Sequence, residues 1–322
     1  MKKSLLILYV LAFALCANAM DIVYKVSVAG DDANDGLTWN TAKRTVQGAL
    51  EVAEYGDDIW VAEGSYYPTD GNYKYRWGGS ADTDLRYFSF RLKNGVKIYG
   101  GFPAEGSPEF KDRDYEKHST IFSGDIGMKG TATDNSYHVI IIDDKEIDDL
   151  TILDGITVSD GYNDYTSTVE HTSSGSAIFI KNSVPLIRNC VFTNNNKGQT
   201  ISLINGAGGY ISNCAFNLNK SDDYNISHKG TTKLFINETK FKSNSASYSV
   251  YTGAETDIST CDFTEQKGAI YISAKTSVSN STFTKNKATP IYSTNSLATI
   301  QNCTFTSNTS SSYIYNSYTS SN

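Results

Sequence analysis

Beyond its leader the 322-residue chain has no apolar run approaching the about 20 residues that cross a bilayer as a helix, so no transmembrane helix is expected there. Basic residues are few and never gather into a stripe: 28 Lys and Arg face 35 Asp and Glu, a formal charge of −7. That balance argues against phosphate-driven binding of nucleic acid. Acidic residues stop at Glu265, after which only Lys267, Lys275, Lys285 and Lys287 carry charge among Ser, Thr, Asn and Tyr. The distal end therefore presents neutral hydroxyl and amide groups. Apolar residues still recur through it at regular intervals, which disordered segments lack. The leucine scaffold of a leucine-rich repeat is missing as well, although the period found below would suit one.

What is present begins with a leader. Lys2 and Lys3 precede an apolar stretch from Leu5 to Leu15, and Ala17-Asn18-Ala19 is a small-x-small cleavage site, so residues 1–19 read as a secretory signal peptide. Leu15 before Cys16 argues against lipid attachment. The mature chain is expected to be secreted, extracellular or displayed at an outer-membrane surface.

An internal repeat dominates the remainder. An aliphatic residue is followed five positions later by Phe at Ile187/Phe192, Ile211/Phe216, Ile236/Phe241, Ile258/Phe263, Val278/Phe283 and Ile300/Phe305. Three residues after each Phe stand Asn195, Asn219, Asn244, Gln266, Asn286 and Asn308. The phenylalanines lie 20 to 25 residues apart, one coil of a β-solenoid and too short for ankyrin or tetratricopeptide units. The units are rich in Thr, Ser, Ile, Val, Phe, Tyr and Asn, which favour strands and turns over helix interiors. Coils stacked about 4.8 Å apart align equivalent residues into ladders. Ile and Phe are expected inside, with Asn189, Asn213 and Asn302 at a corner, bonded to neighbouring coils.

Upstream, Ala42, Val46, Ala49, Leu50 and Ala53 have helical spacing, predicting a helix over 41–53 with Thr38 or Asn40 as N-cap, placed to cover the open first coil. Strands are expected at 59–61, 88–92, 96–99, 120–122 and 138–142. The class is all-β: a right-handed parallel β-helix (β-solenoid) with an N-terminal capping helix. Residues 20–149 form the cap and irregular first coils, and residues 150–322 the regular repeats. The lead-in at Ile291-Tyr292 recurs at Ile314-Tyr315, and the chain stops at Asn322 where another coil is due, so an incomplete C-terminus and edge-to-edge self-association of its last coil are expected.

These Phe-x-x-Asn units, with Gly175-Ser-Ala-Ile178 and Gly268-Ala-Ile270 beside them, resemble the repeat of chlamydial polymorphic outer membrane proteins. The N-terminal section is similar to the leader of bacterial β-helix proteins of the pectate-lyase-like superfamily. The matching pieces are Gly30-Asp-Asp-Ala-Asn-Asp-Gly36, Gly56 to Gly64, Gly95 to Phe102, Ser123-Gly-Asp125 and Leu153 to Thr157. The resemblance implies a surface or secreted protein of adhesin-like type.

Candidate sites are sparse. Asp31, Asp32, Asn34 and Asp35 before Gly36 concentrate oxygen ligands of the kind calcium prefers, the one cofactor suggested, although such clusters also serve as turn and capping residues. Cys190, Cys214, Cys261 and Cys303 share one repeat position, which lines them up in a row where a zinc site needs convergence. Buried thiols are expected. An enzyme of this fold needs a cation-binding acidic cluster with a nearby base, or paired carboxylates. Neither recurs at coil spacing, and Asp143, Asp144, Asp148, Asp149, Asp222 and Asp223 read as solvated loop charge. His118 and His138 lie in no recognisable triad motif. Tyr66, Tyr67, Tyr73, Tyr75, Trp77 and Tyr87 suit either ligand contact or packing of the first coils. Sequons occur at Asn219, Asn225, Asn237, Asn280, Asn302 and Asn308. The sequence thus points to a non-catalytic module that binds an extracellular glycan or protein ligand through a face of Asn, Thr, Ser and Tyr; the alternative is a polysaccharide lyase or hydrolase.

Overall fold

The computed structural model describes residues 21–72, 74–77, 84–165, 175–294 and 297–317; the leader falls outside them. Three long sheets wrap one core as a right-handed parallel β-helix. The first runs from Val23–Val26 through Asp58–Ala62, Lys97–Phe102, Ile152–Asp154 and Leu186–Arg188 to Ala298–Gln301. The second runs from Gly64–Tyr66 through Thr120–Ser123, Ile156–Ser159 and Val191–Thr193 to Thr304–Thr306. The third runs from Tyr75–Arg76 and Phe88–Arg91 through Ile140–Ile142, Ile178–Lys181 and Ile201–Asn205 to Ile314–Asn316. Every pairing is parallel except that of Tyr75–Arg76 with Phe88–Arg91. The predicted strand segments all fall on these sheets.

The repeat earns its register from the core. Tyr66, Phe122, Val158, Phe192, Phe216, Phe241, Phe263, Phe283 and Phe305 occupy one inward row of the second sheet. From Phe192 to Phe305 neighbouring rings stack at 4.6 to 5.1 Å. Ile187, Ile211, Ile236, Ile258 and Val278 line the first sheet and are buried. Each fully buried Phe or Ile contributes about 1.5–3 kcal/mol, and a one-residue slip would turn a whole row outward.

Two sharp corners flank each of the six second-sheet strands from Val191–Thr193 to Thr304–Thr306. Asn189, Asn213, Glu238, Thr260, Asn280 and Asn302 form the first, and Asn194, Leu218, Ser243, Glu265, Lys285 and Ser307 the second, all at φ between 48° and 58°. Asn tolerates this left-handed conformation best among non-glycine residues. As expected, Asn213 Nδ2 donates to Asn189 Oδ1 at 2.7 Å across coils. The residue after the first corner donates to the carbonyl two positions back, whether it is Cys190, Cys214 or Cys261 (3.1 to 3.3 Å), Thr239 (2.9 Å) or Ser281 (2.8 Å). That shared hydrogen bond explains why Cys, Thr and Ser interchange there. The four cysteines among the described residues are free, three of them buried and Cys303 half-buried; burial pushes the Cys261 thiol up to about 12.

The residue immediately past the second corner is the structural surprise. Asn195, Asn219, Asn244, Gln266 and Asn286 are buried inside the solenoid as a continuous amide ladder. Asn219 Nδ2 donates to Phe192 O at 2.8 Å and to Asn244 Oδ1 at 3.1 Å, and its Oδ1 accepts from the backbone N–H and Nδ2 of Asn195.

The predicted cap is present but shorter. The helix α1 is Val46–Val52, capped by Thr45, whose hydroxyl accepts from Gly48 N at 3.0 Å; Thr38 instead caps a separate 3-10 turn, Trp39–Thr41. The reason is tertiary. Lys43 pairs with the first strand through Lys43 N to Lys25 O and Ser27 N to Lys43 O, holding residues 42–44 extended. Asp32 Oδ1 then accepts from Arg44 N and Thr45 N, fixing where the helix begins. A Cβ on Gly48 would sit 2.5 Å from Asp32 Oδ1, so this approach requires glycine. Val46, Ala49 and Leu50 close the core above the first coil.

One polar group inside the third sheet couples folding to pH. His228 is fully buried, with Nε2 donating to Thr232 O at 3.0 Å and Nδ1 facing Thr256 Oγ1 at 2.9 Å. Desolvation holds its pKa below the ordinary histidine value, partly offset by its backbone hydrogen bonds. The neutral ring therefore stabilises the fold fully above the unfolded value of about 6.5, and that contribution is lost as pH falls toward the lower folded value. Urea midpoints of the protein and of His228→Gln, taken from pH 7.5 to 4.5, should diverge least at the acidic end; parallel curves would refute the assignment.

Candidate functional site

The outer face of the third sheet divides in two. Over its early coils that face is roofed. Trp77 packs on His138 at 4.5 Å and His138 on Phe179 at 5.3 Å, while Tyr87, Tyr137 and Tyr165 surround Trp77 at 5.1 to 6.4 Å. Arg86 lies 3.8 Å from the centre of the Tyr137 ring and bonds Asn135 O, Tyr162 O and Asp164. Trp77 and Tyr87, and buried Tyr66, are thus packing residues; Tyr73 lies outside the described residues. His138 is itself buried, its Nδ1 donating to Gly175 O at 2.8 Å.

Past the roof the same face opens. In each distal coil a Val or Ile points inward and the next residue, a tyrosine, points outward: Val250-Tyr251, Ile270-Tyr271, Ile291-Tyr292 and Ile314-Tyr315. The register places Tyr251, Tyr271, Tyr292 and Tyr315 directly above one another. Successive ring centres are 5.6, 5.1 and 5.1 Å apart, with the last two pairs inclined by only 26° and 24°. Tyr224 extends the column toward the roof, 4.8 Å from Tyr251, and Tyr248 flanks it edge-on, 5.5 Å from Tyr271. These spacings are those of offset stacking. Tyr251, Tyr271 and Tyr292 are half-buried and Tyr315 is exposed.

The electrostatics are nearly neutral. Lys229 approaches Tyr251 at 5.8 Å, and no acidic residue follows Glu265 in the chain. Desolvation, then the Asp223 charge, pushes the Tyr224 phenol up to about 12, and desolvation also raises Tyr248. Both remain hydrogen-bond donors across the physiological range.

The acidic loop is arranged differently. Asp31 Oδ1 accepts from Ala33 N, and Asp32 from Arg44 N, Thr45 N and the Thr45 hydroxyl. Asn34 Nδ2 donates to Ala42 O, and Asp35 Oδ1 accepts from Leu37 N and the Thr41 hydroxyl, which lower its pKa. The four side chains thus bond different parts of their own loop. Asp31 and Asp32 border a cleft of about 670 Å³ shared with Arg44, Thr69 and Lys74. Among the described residues no three His, Cys, Asp or Glu side chains gather as a metal site.

Other sequence candidates are dispersed. Asp143 pairs with Arg91 at 3.0 Å, Asp222 with Lys197 at 3.6 Å, and His118 with Glu63 at 3.1 Å. The sequon residues Asn219 and Asn225 are buried, whereas Asn280 and Asn302 are exposed. Asp154, part of the Leu153 to Thr157 piece but not singled out there as a site residue, is 1% exposed and held between Arg113 and Arg188, with Asn189 Nδ2 at 2.9 Å. Among the described residues no helix is long and apolar enough to cross a membrane.

No curated protein matches the sequence. A rhamnogalacturonan lyase structure is similar at TM-score 0.49 and 13% identity, covering 84% of this chain and 72% of that one. XylC in complex with xylose is similar at TM-score 0.41 and 12% identity, over 88% and 68%. A lacto-N-biosidase of family GH136 from Eubacterium ramulus is similar at TM-score 0.32 and 10% identity, over 92% and 68%. Residues 131–278 match the family model described as a right-handed beta helix region, the stretch in which the three sheets settle into their regular stack.

Proposed function

We propose that the protein is a secreted or surface-displayed, adhesin-like β-helix that holds glycan on the distal outer face of its third sheet without cleaving it. The tyrosine column carries this reading. Offset aromatic rings give sugars apolar faces to pack against, and phenols give their hydroxyls hydrogen-bond partners at little entropic cost. Display outside the cell follows from the leader and from the resemblance to the polymorphic outer membrane protein repeat. A protein ligand is the other occupant that such a face suits.

A glycan array probed with the chain from Met20 onward tests it, with calcium and with chelator. Glycan binding should occur equally in both, since the Asp31–Asp35 side chains are engaged in their own loop. Tyr271→Ala with Tyr292→Ala should weaken it at least tenfold, each lost ring removing about 1 kcal/mol or more, while thermal midpoints stay close because both rings stand outside the core. Undiminished binding by the double variant would sink the assignment to this face. Unsaturated-uronate absorbance developing on any bound glycan would replace binding by lyase chemistry.

A further inference from the structure

We infer that the ligand of the tyrosine column is an extended, neutral pyranose polymer with equatorial linkages, lying parallel to the solenoid axis with one sugar ring to each coil. The inference rests on the glycan-binding reading and adds the polymer's class and direction. Direction comes from the register: the tyrosines lie one per strand, stacked across coils, so a chain crossing the axis at right angles would meet a single ring, whereas one along the axis meets Tyr251, Tyr271, Tyr292 and Tyr315 in turn.

Spacing selects the class. The rings recur at 5.1 to 5.6 Å because coils stack about 4.8 Å apart. An extended β-1,4-linked pyranose chain advances by closely the same distance per sugar, so register between sugar and ring persists over several coils. An α-1,4-linked chain curls and leaves a straight platform after a few units. The near-parallel attitude of the last three rings, 26° and 24° between neighbours, makes that platform straight.

Charge selects neutrality. The strands bearing Tyr271, Tyr292 and Tyr315 lie beyond Glu265, where the chain has no acidic residue, and Lys275 is paired with Glu255 at 3.0 Å. Polyuronate recognition ordinarily uses arginine forks against carboxylates, and the chain has no arginine after Arg188. Hydroxyl and ring contacts are what this face offers.

Calorimetric titration of the full chain with neutral β-1,4-linked oligosaccharides of two to six sugars tests the inference, beside malto-oligosaccharides and oligogalacturonates of the same lengths. Affinity for the β-linked series should rise several-fold with each added sugar and level off at about four, the number of tyrosines in the column. Tyr315→Ala should move the plateau to a shorter oligomer, and Tyr292→Ala should flatten the rise at its middle. Equal affinity for the malto series, no dependence on length, or preference for the uronates would overturn this inference while leaving glycan binding intact. Failure of every glycan on the array to bind would overturn both.

Discussion

Asn219→Ala should cost about 3–5 kcal/mol, from roughly 1–3 kcal/mol for each buried polar group left without a partner. The substitution strands the backbone N–H of Asn195, which now donates to Asn219 Oδ1, and takes from Phe192 O the Nδ2 donor it accepts, while Asn195 Nδ2 keeps Val158 O and Thr193 O. These groups lie inside the solenoid, away from bulk water. The comparison that isolates the ladder is Asn213→Gly. Asn213 also bonds across coils, to Asn189 Oδ1, but at an exposed corner; glycine keeps the left-handed turn and gives up one solvated bond, worth less than about 1 kcal/mol. Urea denaturation of the two variants should separate them several-fold. Equal losses would mean that the interior asparagines are no more than turn formers.

That contrast marks where reading the sequence stopped. Period alone placed Ile and Phe inside, because each coil repeats one inward aliphatic and one inward aromatic position and nothing else satisfies both at 20 to 25 residue spacing. The same period made Asn195, Asn219 and Asn244 visible as a row but gave no sign of their side. A polar residue at a repeat position reads as surface unless its partners are known, and here the partners are 24 and 25 residues away in adjacent coils. The helix was legible in kind and not in length, because its start is set by Asp32 and by pairing of Lys43 with the first strand. The tyrosine column had a signal, an aliphatic residue followed at once by Tyr in four distal coils. Only two of those pairs, at Ile291 and Ile314, stood out as a repeated lead-in, since the columns align only after the varying loop lengths between strands are removed. Of the early aromatics that drew attention by clustering, Trp77 and Tyr87 belong to the roof and Tyr66 to the core.

Least legible was the buried ion group. Asp154 ends a first-sheet strand and points outward, yet it is 1% exposed because the segment between residues 103 and 119 folds over it. Arg113, on that segment and itself 9% exposed, ion-pairs with Asp154 and donates through Nε to Gly100 O. Arg188, one coil on, adds its Nε at 2.6 Å, and Tyr99 and Tyr115 lie within 5.5 Å of the Arg113 guanidinium. Removing the carboxylate leaves a guanidinium buried without its counter-charge, so Asp154→Leu should cost about 3–5 kcal/mol. Most of that loss belongs to the stranded Arg113, because Arg188 is 39% exposed and can turn to water. Adding Arg113→Met should therefore recover much of the stability lost in Asp154→Leu, since an apolar pair of similar volume often replaces a buried ion pair at little cost. Hydrogen exchange gives the local readout: in Asp154→Leu the amides of residues 110–118 should lose protection first, and in the double variant regain it. Additive losses in the double variant would show that each side chain acts separately, and that the overlying segment is held by its aromatic contacts instead of by the charge.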